Sequence, residues 1–560
     1  MKNLKMKKVF SMLLTAILAA STLAACGRGN QSEKEKQEGS IATATKSEEE
    51  KSSIVESTVE EAEGITYPLT EDVTLTLAMV EETQVTSTGV KNLFETPFGK
   101  ALQEQTGVKI EVIQLADQDA MNLMFAGGEL PDLVWFNYSS LYAGGAPKAI
   151  KDKVIEPLND YIEYLPDMMA ALESNPDYIK AATTDDGDII GGPFVRDDEM
   201  LKTSAGMMVR QDWLDELGME IPQTPDEVYD MLKAFKEKKG AEVPWSTQLW
   251  WIRDIALPHG LITSPFGLPK CGFYQENGTV QYGYYKKEYK DVLSWMNKLY
   301  SEGLLDPNFQ TLDGATANSN IMNGISGMTI GSTGGGMGNY LSTMADIDPN
   351  YNLSGVAPLV AKRGDIAMST YYDNAVTGWF LTMSPTCKNK EAAAKFINYG
   401  YTEAGKMLFN FGIEGESYNM VDGYPTYTDL IMSNPDGLTI QQAMTLYQRA
   451  WHAGPFLQQK EYIEQYYVLD QQKKALAAWS TSKAADYQLP AVVIAPESAS
   501  KFSKLTADIN IYIEEMMIKY ITGQKSLDTF ETEYLATLQK MGVEEVIEMY
   551  QTALDNYNAR

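Results

Sequence analysis

The sequence predicts an α/β protein with two or more lobes. Between residues 73 and 136, segments with the alternating apolar pattern of a strand are separated by helical segments, and the breaks between them are short. This order is typical of a parallel sheet with helices on its faces. The chain has 560 residues. Because a single hydrophobic core rarely organises so long a chain, we expect more than one lobe.

The first 25 residues have the organisation of a secretory signal. Four lysines lie within the first eight residues, and an apolar run from Val9 to Ala25 follows. This order matches a positive region, an apolar region and a small-residue cleavage site. The run is short for a membrane span. An ordinary secretory signal with a chance cysteine and a transmembrane anchor are the alternatives.

The ending Leu23–Cys26 resembles the lipobox of bacterial lipoproteins. The resemblance implies that residues 1–25 are removed and that Cys26 is acylated and becomes the mature N-terminus. Because stable anchoring needs more than one acyl chain, several chains on Cys26 would hold the protein on a membrane. We therefore expect a lipid-anchored protein on the extracellular face of the cell membrane.

Residues 26–66 are predicted to be a disordered acidic tether. This stretch is rich in Ser, Thr, Glu and Lys, and no aromatic residue occurs between positions 27 and 66. Such a segment cannot bury enough apolar surface to offset the entropy lost on ordering. Its expected role is to give the folded part reach from the membrane.

The overall charge is strongly negative. The formal net charge is −30, and it becomes −34 when the four lysines of the signal are removed. So acidic a surface argues against nucleic acid as a partner and against direct docking on anionic lipid.

Few residues are available for nucleophilic or zinc chemistry. Besides Cys26 the chain has Cys271 and Cys387, which we interpret as two buried small hydrophobic residues, with one disulfide bridge as the alternative. His259 and His452 are the only histidines. This scarcity argues against most nucleophile–histidine and zinc sites, and no cofactor is expected.

The first predicted sheet begins near Tyr67. The alternation of apolar residues predicts strands and helices in the order strand 73–79, helix 92–106, strand 108–114, helix 120–126 and strand 131–136. Ligands of parallel sheets bind beyond the carboxyl ends of the strands. Trp135 to Ser139 are therefore expected to form one wall of a site.

A second set of elements follows from residue 206. The sequence predicts a strand at 206–210, a short helix at 212–218, and a helix that begins with a capping box from Thr224 to Glu227. Three tryptophans then lie close together, at positions 245, 250 and 251. If Trp250 and Trp251 are extended, they point to opposite sides, so one of them should be exposed or lie in a cleft.

Two later stretches could suggest ligand loops. Asp185–Asp188 is interpreted as a hairpin turn rather than a metal loop, because position twelve of an EF-hand loop would fall on Arg196. Gly331–Gly336 follows a predicted buried strand but lacks the phosphate-loop and dinucleotide spacings. We interpret it as a close backbone approach or a cleft edge. No metal site is predicted.

The last part of the chain is predicted to be a strand at 376–383, a helix at 390–399 and a mostly helical region from 439 to 560. The helical region is interrupted near residues 480–501, and Gly523 is expected to end a helix.

From about Val73 to Lys540 the chain is similar to family 1 extracellular solute-binding lipoproteins of ABC importers, and it most resembles the long sugar-binding lipoproteins of Gram-positive bacteria. Each matching motif is weak alone, but together, in this order and behind a lipobox, they are specific. They are Gly127–Trp135, Val209–Gly218, Thr224–Glu227, Leu299–Pro307, Ala393–Asn398 and Gly412–Tyr418.

The resemblance implies a two-lobed periplasmic-binding-protein-like fold of type II, with an interlobe cleft, hinge crossovers and an extra helical C-terminal region. The chain would cross near 206–210 and return near 369–376. The first lobe would contain residues 67–205 and 372–425, and the second lobe residues 206–371 and 426–560. A monomer without enzymatic activity would capture an oligosaccharide by hinge closure and deliver it to a membrane permease.

A sugar site needs flat aromatic platforms and planar polar groups. For each candidate, packing in a core is as good an interpretation as ligand contact. The candidates are Trp135, Asn137, Trp245, Trp250, Trp251, Arg253, Tyr371, Tyr372, Trp379 and Glu414, with Arg449 and Trp451 as less favoured additions.

Three other functions fit the sequence. The ligand of the importer could be a peptide or another small solute. The protein could be a surface glycoside hydrolase, which needs two carboxylates roughly 5 to 9.5 Å apart. It could also be a sensory or adhesive lipoprotein that uses the same fold without transport.

Overall fold

The computed structural model describes residues 64–450 and 452–560. The predicted signal peptide, Cys26, nearly all of the predicted tether, and Trp451 lie outside the described residues.

The strands are numbered in chain order. They are β1 (Val73–Val80), β2 (Val108–Leu115), β3 (Leu133–Asn137), β4 (Gly192–Arg196), β5 (Ala205–Arg210), β6 (Phe273–Glu276), β7 (Thr279–Tyr282), β8 (Met328–Ser332), β9 (Leu353–Val356), β10 (Val376–Met383), β11 (Tyr418–Val421), β12 (Tyr424–Tyr427) and β13 (Leu457–Gln458).

The helices are numbered in the same way. They are α1 (Thr83–Thr86), α2 (Pro97–Thr106), α3 (Gln118–Gly127), α4 (Tyr138–Leu141), α5 (Gly145–Lys151), α6 (Pro166–Glu173), α7 (Pro176–Ala182), α8 (Gln211–Leu217), α9 (Pro225–Lys238), α10 (Leu257–His259), α11 (Tyr289–Ser301), α12 (Gly314–Met322), α13 (Asn339–Met344), α14 (Lys390–Tyr399), α15 (Glu403–Phe411), α16 (Asp429–Met432), α17 (Ile440–Tyr447), α18 (Lys460–Tyr466), α19 (Asp470–Trp479), α20 (Ala484–Tyr487), α21 (Pro496–Ile521), α22 (Ala536–Lys540) and α23 (Val543–Ala559).

Shorter helical turns connect these elements. The 3₁₀ turns are Leu93–Glu95, Leu158–Tyr164, Glu199–Leu201, Ser264–Phe266, Gly283–Tyr285 and Leu527–Thr529, and the π-helical turns are Trp251–Ala256, Thr333–Gly338 and Phe530–Leu535.

The first sheet has six strands in the order β13-β4-β10-β3-β1-β2. Strand β1 pairs in parallel with β2 and β3, as the alternating pattern of these segments predicts. Strand β10 arrives from far along the chain and pairs antiparallel with β3 and β4. The mixed sheet therefore joins residues before 200 to residues after 375.

The second sheet is smaller and antiparallel, with the order β8-β5-β9. Residues 206–210, where the resemblance implied a crossover, lie in its central strand β5. The crossover instead lies between β4 and β5. The chain returns between β9 and β10, which agrees with the implied return near 369–376.

Separate apolar cores build the two lobes. The first core surrounds the six-stranded sheet, and the second packs one face of β5 against α9, α11 and α21. A third core covers the other face of β5 and contains Met208, Leu353 and Trp479. Two sheets with their own cores form the two-lobed α/β fold that the sequence and the resemblance predict.

One implied lobe boundary differs from the structure. Residues 426–560 were assigned to the second lobe, yet β13 pairs with β4 in the first sheet. Ala453 and Phe456 also belong to the first core. These residues join the first lobe because pairing with β4, more than 260 positions earlier, buries them there.

The last turn of α23 also contacts the first lobe. Val543 and Val546 of this helix lie in the second core. Arg560 donates from Nη1 to the carbonyl oxygens of Lys180 and Thr183, both at 2.7 Å, and these carbonyls lie at the end of α7 in the first lobe. The two lobes therefore touch at a point remote in sequence from their crossovers.

Several smaller predictions are confirmed. Thr224 and Glu227 form both hydrogen bonds of the capping box that starts α9. Cys271 and Cys387 are free thiols and both are buried. A Cβ atom on Gly334 would lie 3.0 Å from the hydroxyl of Tyr466, so this glycine allows the close approach predicted for the glycine-rich stretch.

Candidate functional site

The carboxyl end of β3 meets the beginning of β10. Asn137 is paired with Trp379 across the two strands, and its Oδ1 accepts a hydrogen bond from the backbone N–H of Ser140 at 3.1 Å. Gly378 has φ +84°, and a Cβ atom there would lie 2.7 Å from Ser139. This edge therefore brings two predicted site residues, Asn137 and Trp379, together.

Two indole rings stack at the same edge. The ring centroids of Trp135 and Trp379 are 5.5 Å apart, with 23° between the ring planes. Trp379 is half-buried, whereas Trp135 is only 8% exposed and lines an apolar cavity of about 40 Å³ in the first core. Trp135 was predicted to line a cleft. It instead packs in the interior of the first lobe, where its ring stacks against the ring of Trp379.

The tryptophans of the second lobe separate into two environments. Trp245 is 0% exposed and lies in the second core, so the predicted ligand contact by this residue does not fit the structure. Its backbone forms isolated bridges with Leu305 and Met328, which place its side chain inside the lobe.

Trp250 and Trp251 are both half-buried, and their rings meet edge to face at 4.6 Å. The condition of an extended backbone does not hold here, because a π-helical turn begins at Trp251 and the residues before it are helical. In a helical backbone, successive side chains are not sent to opposite faces. Both rings can therefore keep part of their surface accessible.

Arg253 already has two carboxylate partners. Its guanidinium donates to Asp254 at 2.5 Å and to Glu514 at 2.8 Å. Hydrogen bonding to Asp254 raises the pKa of Arg253 above its ordinary value, and Glu514 adds to the effect. Burial raises the pKa of Asp254. Arg253 thus links the π-helical turn to α21, and a ligand would have to share it.

Tyr371 and Tyr372 lie in the returning crossover. The Tyr371 hydroxyl donates to Asp373 at 3.2 Å, and its ring lies 4.7 Å from the imidazole of His259. The Tyr372 hydroxyl donates to Glu199 at 2.6 Å. Burial, together with Asp373, raises the pKa of Tyr371. Both predicted residues are therefore held between the lobes as hydrogen-bonded phenols.

Four further polar residues surround this crossover and were not predicted. Arg196, at the end of β4, forms an ion pair with Asp373. Lys270 donates to the side-chain oxygen of Gln488 at 2.9 Å. Arg196 is the last residue of the apolar segment that forms β4, which is a usable signal, but nothing near Lys270 in the sequence marks it.

A buried ion pair lies beyond the carboxyl end of β1. Arg449 donates to both carboxylate oxygens of Glu82, and the imidazole Nε2 of His452 lies 3.4 Å from the same carboxylate. Burial acts to raise the pKa of Glu82, but Arg449 and His452 outweigh it and the pKa is lowered. Arg449 was a less favoured ligand candidate, and the structure shows its guanidinium occupied by Glu82.

Glu414 is exposed, in the loop that precedes β11. Its backbone bridges to Tyr418.

The described residues contain neither a metal cluster nor a membrane-spanning helix. No cluster of three or more His, Cys, Asp or Glu side chains there could hold a metal ion. Within residues 64–450 and 452–560, none of the helices combines the length and apolar character that a membrane span requires.

Comparisons with known proteins agree with this architecture. The family described as bacterial extracellular solute-binding protein matches residues 87–407. Lipoprotein LipO of Bacillus subtilis is 26% identical over 352 residues, which cover 61% of this chain and 67% of LipO. The fructooligosaccharide ABC transporter substrate-binding protein FusA of Streptococcus pneumoniae is 23% identical over 534 residues, which cover 89% of this chain and 93% of FusA.

A solved structure shares the fold. The crystal structure of alginate-binding protein AlgQ2 without calcium ion superposes with a TM-score of 0.69 at 22% sequence identity. The match covers 88% of this chain and 100% of AlgQ2. At this identity the likeness establishes the fold alone.

Proposed function

The chain belongs to the family of bacterial extracellular solute-binding proteins, and from this we propose that it captures an oligosaccharide between its lobes and delivers it to the permease of an ABC importer. The observation that carries the proposal is the family match together with a fold of two sheets joined by crossovers. The family consists of binding proteins, so we propose binding without catalysis.

The printed names of two similar proteins support a carbohydrate ligand. FusA is named for fructooligosaccharide and AlgQ2 for alginate. Both ligands are polymers of sugar units, which present apolar C–H faces and many hydroxyl groups. The partly accessible indoles of this chain match the first feature, and its hydrogen-bonded polar groups match the second.

We propose a smaller set of ligand contacts than the sequence suggested. Trp379, supported by Trp135, would offer an aromatic platform from the first lobe, beside the amide of Asn137. Trp250 or Trp251 would offer the platform from the second lobe. Tyr371 and Tyr372 would contribute hydroxyl groups from the crossover, and Arg253 and Glu414 remain candidates at the periphery.

The cellular setting is part of the same proposal. We propose that Cys26 carries the lipid anchor and that residues 26–66 separate the binding lobes from the outer face of the cell membrane. The two lobes would then close on the sugar as a monomer and dock on the permease. Ligand binding favours the closed arrangement only to the extent that it binds that arrangement more tightly.

A thermal-shift screen tests this function. A ligand that binds only the folded protein raises its melting temperature, by an amount that grows with ligand concentration over Kd. We expect at least one oligosaccharide from a broad panel of neutral and acidic sugars to do so. The variant Trp379→Ala should lose most of the shift. If no oligosaccharide stabilises the protein while a peptide does, the proposed ligand class is wrong.

A further inference from the structure

Three chain segments run side by side between the lobes. The backbone N–H of Asp373 donates to the carbonyl of Lys202, and that of Lys483 donates to the carbonyl of Ala367, both at 2.9 Å. The side chain of Gln488 also donates to Asn374 at 3.1 Å. This junction lies between the two lobes, and we call it the floor. Ligand sites occur preferentially at such interfaces between domains.

Lys270 reaches this floor from the second lobe. It is only 6% exposed, and its ammonium group donates to the neutral amide oxygen of Gln488 at 2.9 Å. Among the described residues no carboxylate lies within ion-pair distance of its ammonium group. Burial lowers the pKa of Lys270 to about 8. A buried cation without an anionic partner is costly, and most buried charges are paired.

Arg196 reaches the same floor from the first lobe. It is 7% exposed and forms an ion pair with Asp373. Its Nε is buried and has no hydrogen-bond partner among the described residues. Buried polar atoms are rarely left in this state, so this Nε–H can donate to a group that is supplied from outside the chain.

We define the crossover cluster as Arg196, His259, Lys270, Asp373 and Gln488. Its positive charges outnumber its negative charges. Arg196 and Lys270 are cationic, and Asp373 supplies one negative charge. Burial and then Lys270 lower the pKa of His259 to about 4, so His259 is neutral at pH 7. The nearby ion pair of Glu199 and Lys202 adds no net charge. One positive charge is therefore left uncompensated.

We propose that the crossover cluster binds a carboxylate of the ligand, so that the captured oligosaccharide contains a uronic acid residue. A single carboxylate supplies one negative charge, which equals the excess, whereas a phosphate dianion would exceed it. The carboxylate would accept hydrogen bonds from Lys270 and from the free Nε of Arg196. This inference rests on the proposed function, because it assigns the chemical class of the sugar in the same interlobe site.

The test compares acidic sugars with their uncharged esters. Oligosaccharides of galacturonic, mannuronic and glucuronic acid are each measured beside their methyl esters at pH 7, by thermal shift and titration calorimetry. We expect at least one acidic oligosaccharide to bind at least tenfold more tightly than its ester. Lys270→Met should abolish this difference, while Lys91→Met, which changes an exposed lysine, should keep it.

Each other outcome has a definite meaning. Equal affinity for acid and ester, or an acid preference that persists in Lys270→Met, would overturn the inference. Stabilisation by neutral sugars only would overturn it and leave the proposed function standing. No stabilisation by any sugar would contradict the proposed function itself. Because Met has a similar volume and no charge, we expect Lys270→Met to fold with an undiminished melting temperature, and Lys270→Gln provides a second variant.

Discussion

Arg449 donates hydrogen bonds to both carboxylate oxygens of Glu82, at 2.7 and 2.8 Å, although the two residues are 367 positions apart in the sequence. The side chains are 2% and 9% exposed. The pair joins the loop after β1 to the segment that leads to β13. It therefore fixes the position of a backbone segment that no neighbouring sequence could hold.

Breaking this pair should be costly. Arg449→Met leaves a buried carboxylate without its cation, and such losses typically cost about 3–5 kcal/mol. We expect a decrease of that size in the free energy of unfolding measured by urea denaturation. Glu95→Gln, in the exposed pair with Lys91, should change the stability by less than about 1 kcal/mol. A similar small effect for Arg449→Met would show that the buried pair is dispensable.

The neighbouring imidazole gives the stability a pH dependence. Burial lowers the pKa of His452 from 6.5 to about 4, with Arg449 acting in the same direction and Glu82 opposing it. Between these pH values the unfolded chain binds more protons, so the stabilising contribution is complete above pH 6.5 and is lost as the pH falls to about 4.

Unfolding at several pH values measures this loss. The shift corresponds to a contribution on the order of 3 kcal/mol. Between pH 6.5 and 5 the free energy of unfolding of the wild-type protein should decrease, and we expect a smaller decrease for His452→Gln. Because the pKa of Glu82 is lowered, its carboxylate stays ionised in the folded protein over this range. His259, which has a similar shift, stays unchanged in both proteins. Parallel pH profiles for the two proteins would contradict the assignment.

The two stacked tryptophans should have different roles. Trp135→Ala empties space beside an existing cavity in the first core, and truncation of a buried tryptophan costs about 3–5 kcal/mol of stability. Trp379→Ala should cost clearly less stability but weaken sugar binding by about tenfold, roughly 1.4 kcal/mol. Paired denaturation and calorimetry separate these effects. The reverse pattern would place Trp135, not Trp379, at the ligand.

Because Arg560 contacts the first lobe, its removal should change the affinity for the ligand but not the stability of the two apolar cores. Arg560→Ala removes two hydrogen bonds to the carbonyl oxygens at the end of α7. If ligand binding favours this arrangement of the lobes, the affinity should fall severalfold while the melting temperature without ligand changes little. An unchanged affinity would mean that the contact does not contribute to closure.

Local patterns were enough to predict many elements. Strands β1, β2 and β10, helix α14 and the capping box of α9 follow from spacings within ten residues, and the structure has them at nearly the predicted positions. The two-lobed class followed from the order of motifs. These features depend on neighbours in sequence or on motif order, which a sequence displays directly.

The details of the site depend on distant pairings. Trp135 and Trp245 are as apolar as Trp379, and only the neighbours supplied by β10 and β8 show which rings are buried. The same holds for Lys270, whose partner lies 218 positions away. The π-helical turn at Trp251 also lacked a local signal. Residue type therefore predicted which side chains could bind a sugar, but not which of them are accessible.

Small-angle X-ray scattering tests the central claim that a sugar is captured between two lobes. The radius of gyration is measured for the protein alone and with a saturating oligosaccharide chosen by thermal shift, and a sugar that gives no thermal shift is the control that should leave the radius unchanged. We predict that the radius of gyration of the wild-type protein decreases when the sugar binds, because the lobes close around it. An unchanged radius at saturation with a bound sugar would contradict capture by closure.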